Sequence, residues 1–542
     1  MNNFDGQLDL YPQICIDNFS SNVLFNINIR CFILTHFHDD HMKNLEDEKF
    51  YKLLKNSNGL VKFYCSSITR KFIETCDKYS HLADLCTEVS CESPFMVNIS
   101  EKQTLTVTFC GSGHCPGSVM VFIEGPAGNV LFTGDFRLPI RCASRLVFLK
   151  QSSLSNDSDK QKKIQDKSKY NDSTTSSNEF HMKECDHLYV DMTFFKPEIQ
   201  SIPTREESVK ALINFILKFL SSDKSKSVSK NDNQINFTNY IYLKTSARIG
   251  YEYVYQEIYK NTKYKVHVND LIYKIYDQLP LIQETLTRNP YETPIHCCIY
   301  ENRKRDVAKT DLMSSSLSKD AKSRKSYSTN SLSTCCSKNK TLIPCQLTKE
   351  NEKFYDKTKI NACKIILSAM WFTDTAGVDQ IMIKYNPPPS ELNLPAYKPY
   401  NSIYRLCYSF HSSFEEIVDF VDTLKPKKLF SIALPESTTD KLINEYFYTN
   451  DVFQGFHYPS KLSNSNGENE KKIYKENKLS FNLSEMKPLV LRKRKSFNKH
   501  LYNINNTENS SDNESSCSNE SDDLNFGSDD DDGPSRSKIL VK

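Results

Sequence analysis

A short apolar segment followed by three closely spaced histidines constrains the fold of this chain more than any other feature. Residues 29–34 are mostly apolar and predict a buried strand. The chain then reads Leu34-Thr35-His36-Phe37-His38-Asp39-Asp40-His41. With twelve histidines in 542 residues, three within six positions are rare by chance, so a His-rich polar turn is the weaker interpretation. In an extended segment His36 and His38 point to the same side. The stretch therefore predicts two neighbouring metal ions bound by imidazole nitrogens and carboxylate oxygens.

Composition indicates a large chain with long segments outside any packed core. A length of 542 residues predicts two or three domains. No apolar run approaches the roughly 18 to 20 residues of a membrane span, and the first residues lack the basic and apolar regions of a signal peptide. The eighteen cysteines are scattered without a C-x-x-C pair. We therefore expect reduced thiols, a few of them binding metal, and no membrane association.

Charge is distributed unevenly along the chain. Ten acidic residues and no lysine or arginine lie between Glu508 and Asp532, whereas the whole chain has a net charge of +3. The rest of the chain is therefore basic, which is compatible with a nucleic-acid substrate. Residues 151–179 and 301–340 are polar and predict disordered insertions, and residues 458–542 predict a disordered tail.

Other predicted strands also end at polar residues. A strand at 104–109 leads into the glycine-rich loop of His114, and one at 130–133 ends at Gly134-Asp135. The strand at 187–190 runs into Asp191, and the one at 404–410 ends at His411. The pairs Thr204/Glu207 and Ser413/Glu416 have capping-box spacing and predict helix starts.

Several short motifs, taken in order from about residue 4 to 445, resemble the DNA-repair nucleases of the metallo-β-lactamase superfamily that carry an inserted β-CASP domain. The matching segments are Phe4-Asp5-Gly6-Gln7, Tyr11-Pro12, Gly113-His114-Cys115-Pro116-Gly117-Ser118-Val119-Met120, Thr133-Gly134-Asp135-Phe136-Arg137-Leu138, Gly250-Tyr251-Glu252-Tyr253, Met370-Trp371-Phe372 and Phe410-His411-Ser412-Ser413. The resemblance implies an α/β fold: a metallo-β-lactamase αββα sandwich with an inserted β-CASP α/β domain and a disordered C-terminal tail. The implied domains are 1–195 and 404–457 for the two parts of the sandwich, 196–403 for β-CASP and 458–542 for a regulatory tail.

The resemblance also implies roles for individual residues. The tight catalytic metal, expected to be Zn²⁺, would be bound by His36, His38, His114 and Asp135. Asp40 and His41, with Asp135 as a bridge, would form a second site for Zn²⁺, Mg²⁺ or Mn²⁺. One ion would activate water and both would stabilise phosphate charge. Asp191 and His411 match two β-CASP motifs, and the imidazole of His411, oriented by Asp191, would protonate the leaving oxygen. Asp17 matches a family aspartate, either with a direct role or as a turn carboxylate that holds a ligand histidine.

A structural zinc and a DNA-binding surface are further implications. The zinc ligands would be His267, His296, Cys298 and Cys345, with Cys335 or Cys336 as alternatives to Cys345. DNA phosphates would be bound by Lys43, Arg205, Lys244 and Arg248. The chain departs from the family pattern where Asp39 and Ser246 stand in place of lysines, which leaves the phosphate contacts open. No histidine lies near Leu434-Pro435, a feature of the DNA-directed members that predicts a weaker second metal site.

The predicted function is that of a metal-dependent DNA nuclease, both 5′ exonuclease and hairpin-opening endonuclease, in non-homologous end joining of double-strand breaks. The alternatives are a β-CASP 5′ exonuclease of interstrand-crosslink repair, an RNA-processing nuclease and a non-catalytic repair scaffold. The resemblance implies the DNA-dependent protein kinase catalytic subunit as a partner. DNA ligase IV stays open, because the only tryptophan is Trp371 and no ligase-docking peptide is recognisable in the tail. The basic run Arg492-Lys493-Arg494-Lys495 predicts nuclear import.

Overall fold

The computed structural model describes residues 4–149, 182–222, 237–298, 345, 360–373, 380–388, 400–435, 443 and 446–447. The predicted disordered segments 151–179, 301–340 and 458–542 lie outside these residues, so their disorder stays a prediction. Among the described helices, none has the length and apolar character needed to cross a membrane.

The described residues form both strands and α-helices. The strands are β1 (Ile14–Ile16), β2 (Cys31–Leu34), β3 (Lys62–Ser66), β4 (Cys86–Val89), β5 (Phe95–Ser100), β6 (Gln103–Gly111), β7 (Val119–Glu124), β8 (Val130–Phe132), β9 (His187–Asp191), β10 (Asn239–Lys244), β11 (Val266–His267), β12 (Leu286–Thr287), β13 (Ile295–His296), β14 (Asn361–Leu367), β15 (Met382–Lys384), β16 (Ser402–Leu406) and β17 (Lys428–Ala433). The helices are α1 (Ser21–Leu24), α2 (Glu48–Asn56), α3 (Ser67–Thr75), α4 (Arg205–Ser221), α5 (Glu252–Thr262), α6 (Asp270–Ile275), α7 (Pro280–Gln283), α8 (Met370–Thr373) and α9 (Phe414–Leu424).

Two sheets face each other across one apolar core. The first contains the parallel strands β1-β2-β3-β4, and the second has the order β17-β9-β8-β7-β6-β5. Alternate side chains such as Ile33, Val121 and Tyr189 fill the space between them. The outer face of the first sheet packs on α2 and α3, and that of the second packs on α9. This arrangement confirms the predicted αββα sandwich.

A third sheet has the order β12-β11-β13-β10-β14-β16-β15 and is parallel except at β15. Buried Ile241 and Leu243 of this sheet share a core with apolar residues of α4 and α5. Both predicted capping boxes are present, Thr204 with Glu207 before α4 and Ser413 with Glu416 before α9.

The domain boundaries stay predictions, but one junction differs from the observed strands. The predicted boundary at 403/404 falls inside β16, which pairs with β14 in the third sheet. The predicted strand at 404–410 is therefore shifted, since β16 covers Ser402–Leu406 and a loop follows it. The apolar run extends to Phe410 because this loop is itself buried, and burial alone does not distinguish loop from strand.

Candidate metal centre

The loop after β2 turns three histidines toward one point. The backbone N–H of Thr35 donates to Asp17 Oδ1 at 2.8 Å, which fixes the chain where the strand ends. The N–H of His41 donates to the His38 carbonyl at 3.0 Å, which closes the turn. All three histidines are almost fully buried. A local turn anchored by Asp17 thus brings His36, His38 and His41 together.

Two further loops complete a four-residue cluster. His114 follows β6, and Asp135 follows β8. Potential ligand atoms of His36, His38, His114 and Asp135 all lie within 4.8 Å of one another. Asp135 Oδ2 is 3.6 Å from His36 Nε2 and 3.5 Å from His114 Nε2. The structure therefore brings together the four residues predicted for the tight metal.

The donor atoms of this cluster fit a divalent cation. His36 Nε2 is buried and has no hydrogen-bond partner among the described residues, while Nδ1 lies 2.9 Å from the Thr35 hydroxyl. Burial holds the pKa of His36 and of His114 well below the ordinary value, so both imidazoles are neutral. Neutral imidazoles and a carboxylate around one point are the donor set of a zinc-type site. A metal ion there would satisfy the buried nitrogen.

His41 and Asp40 extend the cluster on its open side. His41 Nε2 lies 3.3 Å from Asp135 Oδ2 and 3.9 Å from Asp40 Oδ2. The Asp40 side chain is 50 % exposed, so its carboxylate is accessible from solvent. Burial lowers the pKa of His41, but the charges of Asp135 and Asp40 raise it well above the ordinary value. Asp135 faces both halves of the cluster, as a bridging ligand of two ions would.

Asp17 contacts the cluster from behind. Its Oδ2 accepts from the Thr35 hydroxyl at 2.6 Å and lies 2.8 Å from His41 Nδ1. Asp17 is buried, and hydrogen bonds from Thr35 to both of its oxygens hold the carboxylate in one place. Of the two roles left open for Asp17, this geometry favours orientation of a ligand histidine.

His411 and Asp191 form a pair beside the metal ligands. His411 Nδ1 lies 2.7 Å from Asp191 Oδ2 and 4.0 Å from Asp135 Oδ2. Burial opposes protonation of His411, but the charges of Asp191 and Asp135 raise its pKa to about 9. The imidazole is therefore cationic at neutral pH and holds a proton next to the cluster.

A second metal-type cluster lies in the third sheet. Ligand atoms of His267, His296, Cys298 and Cys345 all lie within 4.8 Å of one another. His267 Nδ1 is 3.0 Å from His296 Nδ1, and the Cys345 Sγ is 3.6 Å from His296 Nδ1. The Cys298 thiol lowers the pKa of Cys345 by hydrogen bonding, so Cys345 favours the thiolate. Two imidazoles and two sulfurs fit a structural zinc. Cys335 and Cys336 lie outside the described residues.

The four predicted DNA contacts occupy different environments. Lys43 is exposed beside the turn, and Lys244 is partly buried at the end of β10. Arg248 forms an ion pair with Asp39, at 3.2 Å. Arg205 donates to the carbonyls of His114 at 2.9 Å and Ser409 at 3.1 Å. The guanidinium of Arg205 thus links two loops of the metal centre. This location favours a structural role for Arg205 over direct binding of DNA.

Sequence reasoning missed two backbone contacts to ligand histidines. The Ile249 carbonyl lies 3.2 Å from His38 Nε2, and the Phe410 carbonyl lies 3.1 Å from His114 Nδ1. A carbonyl contact depends on chain position and not on residue type. The only signal available was the neighbouring Gly250, which has a φ of 109° that L side chains rarely adopt.

Comparison with known proteins gives consistent results. The family model "DNA repair metallo-beta-lactamase" matches residues 280–437. Protein artemis of Gallus gallus is 27% identical over 450 residues, which are 82% of this chain and 49% of that protein. Protein artemis of Homo sapiens is 26% identical over 449 residues, which are 82% of this chain and 51% of that protein. The 5' exonuclease Apollo of Rattus norvegicus is 27% identical over 190 residues, which are 35% of this chain and 27% of that protein.

The chain spans about half the length of the Artemis proteins that it matches. The predicted family resemblance is thereby confirmed: the chain is similar to Artemis over 82% of its length, and residues 280–437 match the DNA-repair metallo-β-lactamase family.

Proposed function

We propose that the chain is a metal-dependent nuclease that hydrolyses phosphodiester bonds in DNA. The observation that carries the proposal is the His411–Asp191 pair beside the four-residue cluster, with His411 Nδ1 4.0 Å from Asp135 Oδ2. A divalent-cation site next to a protonated imidazole combines the two requirements of phosphodiester hydrolysis. One is positive charge for the phosphate oxygens, and the other is a proton for the departing oxygen.

The chain's own residues have distinct parts in this reaction. His36, His38, His114 and Asp135 would hold the first ion, with Asp40 and His41 for the second. Bound ions would supply Lewis-acid charge and lower the pKa of the attacking water. Asp191 fixes Nδ1 of His411, so Nε2 is the ring nitrogen left to donate a proton to the departing 3′ oxygen. Burial opposes protonation of His411, but the charge of Asp191 raises its pKa and so favours the protonated ring.

DNA repair is the process that the description of the matching family supports. Within it, we propose hairpin opening and end trimming during non-homologous end joining, in the nucleus, with the DNA-dependent protein kinase catalytic subunit as a partner. Binding of DNA ligase IV is left undecided. Lys43 and Lys244 are the proposed phosphate contacts, and the second cluster is a proposed structural zinc site.

A 5′ exonuclease without hairpin activity is a second candidate, because the 5' exonuclease Apollo matches over 190 residues. A duplex closed by a hairpin, with a fluorophore in the loop, separates the two activities. An endonuclease opens the loop, whereas a pure 5′ exonuclease releases mononucleotides from the free end alone. The matched RNA hairpin tests the RNA-processing alternative.

The experiment incubates purified chain with the DNA hairpin in Mg²⁺ or Mn²⁺ buffer. Wild-type protein should open the loop, and His114→Ala should not. His81→Ala changes an exposed histidine away from the cluster and should cleave like wild type. If wild-type protein binds the hairpin but cuts neither DNA nor RNA in any metal, the non-catalytic scaffold replaces the nuclease.

A further inference from the structure

The β10–α5 loop, residues 245–251, contacts the metal centre from the third sheet. Its Ile249 carbonyl lies 3.2 Å from His38 Nε2. A carbonyl only accepts, so His38 carries its proton on Nε2 and has a lone pair on Nδ1. The loop therefore determines which nitrogen of His38 is available to a metal.

The backbone carbonyl of Phe410 sets the tautomer of His114 in the same way. The Phe410 carbonyl lies 3.1 Å from His114 Nδ1, which leaves the lone pair on Nε2. His114 Nε2 and His38 Nδ1 are 3.0 Å apart. Two lone pairs at this distance repel each other unless a cation lies near both. The two carbonyls thus prepare the pair of nitrogens for a metal ion.

Gly250 follows Ile249 in the chain and packs against the Phe410 ring, so it links the Ile249 and Phe410 contacts. A Cβ built on Gly250 would lie 2.8 Å from the Phe410 ring, so the loop backbone packs directly on that ring. The N–H of Gly250 donates to Glu252 Oε1 at 2.9 Å. Glu252 is buried, and the same oxygen accepts from the Tyr276 hydroxyl. One buried carboxylate therefore holds the loop against the aromatic ring.

We propose that Glu252 is a positioning residue for the metal centre, which fixes the 245–251 loop so that Ile249 and Phe410 set the tautomers of His38 and His114. The proposal rests on the metal site of the proposed function and assigns part of its affinity to the third sheet. Partners that orient ligand histidines typically change metal affinity by roughly 10–100-fold when they are removed.

Five proteins test the role of Glu252 in buffers of graded free Zn²⁺, with bound zinc measured per chain: wild type, Glu252→Ala, Glu252→Gln, His114→Ala and His296→Ala. The zinc-binding step of the catalytic site is identified as the one that is present in wild type and absent in His114→Ala. Glu252→Ala should weaken this step by roughly 10–100-fold, whereas Glu252→Gln should restore it because the amide keeps Oε1 as an acceptor. The binding step of the second cluster, lost in His296→Ala, should be unchanged in both variants and reports an intact third sheet. Wild-type zinc affinity in Glu252→Ala would overturn the positioning role.

A measurement on wild-type protein keeps the proposal testable should Glu252→Ala fail to fold. Long-range ¹H–¹⁵N spectra of zinc-loaded protein labelled at histidine nitrogens report the tautomer of each ring. The expected result is a proton on Nε2 of His38, and a proton on Nδ1 of His38 overturns the proposal. If wild-type protein has no zinc step that His114→Ala removes, the metal site of the proposed function is wrong. Failure of the positioning role alone gives a different result, in which wild type has this zinc-binding step and Glu252→Ala binds zinc there with unchanged affinity.

Discussion

Asp191 Oδ2 lies 2.7 Å from His411 Nδ1, although the two residues are 220 positions apart in the chain. The other carboxylate oxygen accepts from the backbone N–H of Thr193 at 2.9 Å and from its hydroxyl at 2.6 Å. The Asp191 side chain is 1 % exposed and that of His411 is 24 % exposed. The carboxylate is thus immobilised, and the imidazole it orients remains accessible from solvent.

We predict that His411→Ala and Asp191→Asn lower kcat by roughly 10²–10⁴-fold, the usual contribution of a general acid. Neither residue belongs to the four-residue cluster, so the content of the tight metal and the DNA affinity should be retained. Single-turnover cleavage of a labelled duplex measures the effect, and His81→Ala is the matched control. Wild-type turnover in His411→Ala would remove this residue from the proposed mechanism.

We predict that His114→Ala and Asp40→Asn both abolish cleavage but differ in metal content. His114 is buried in the four-residue cluster, so its loss should release the tight ion. Asp40 is half-exposed beside His41, so Asp40→Asn should keep that ion and lose only the second. Elemental analysis after dialysis distinguishes the two variants. Both should keep their fold, because these residues follow strands and do not fill the apolar core. Turnover at the wild-type rate in either variant contradicts the assignment.

Much of the candidate site could be predicted because its side chains follow strands with clear apolar patterns. Asp135 follows β8 and Asp191 ends β9, parallel neighbours that bring both residues to one edge of the second sheet, and His36 follows β2 of the facing sheet. The sequence could not predict the part played by Ile249, because the contact is made by a backbone carbonyl. It also could not show that Arg205 faces two loops, since exposure of a basic residue depends on tertiary packing.

The second cluster gives a prediction about stability. His296→Ala should remove about one zinc per chain and lower the unfolding temperature, because structural zinc contributes folding free energy directly. The experiment uses a His114→Ala background, so that the catalytic ion does not contribute to the count. Cys345→Ser should have the same effect, and Cys335→Ser and Cys336→Ser should not. Zinc content unaffected by His296→Ala would make this residue an ordinary buried histidine.

The acidic tail gives a prediction about regulation. Its ten acidic residues between Glu508 and Asp532 can compete with DNA phosphates for the basic part of the chain. Truncation near residue 460 should raise DNA affinity and cleavage, most at low salt, where screening is weakest. It should also remove nuclear accumulation, because Arg492 to Lys495 is lost. Phosphorylation of Ser521 or Ser528 would add negative charge to the same segment. Equal cleavage by both lengths at low ionic strength would make the tail a passive linker.

The contrast between Lys43 and Arg205 tests which basic residues bind DNA. Lys43 is exposed beside the turn that carries His41. Lys43→Ala should weaken binding similarly on all sequences and reduce the slope of log affinity against log salt by about one. The guanidinium of Arg205 donates hydrogen bonds to the carbonyls of His114, Ser409 and Phe410.

Arg205→Gln should therefore lower the unfolding temperature and kcat and leave the salt slope unchanged. Fluorescence anisotropy of a labelled duplex over a salt series measures both slopes, and thermal unfolding of the same samples measures stability. If Arg205→Gln reduces the slope as Lys43→Ala does and unfolds like wild type, Arg205 binds a DNA phosphate and its bonds to the two loops contribute little. A lower unfolding temperature with an unchanged slope assigns Arg205 to the loops, because a charge that neutralises no phosphate releases no counterion when DNA binds.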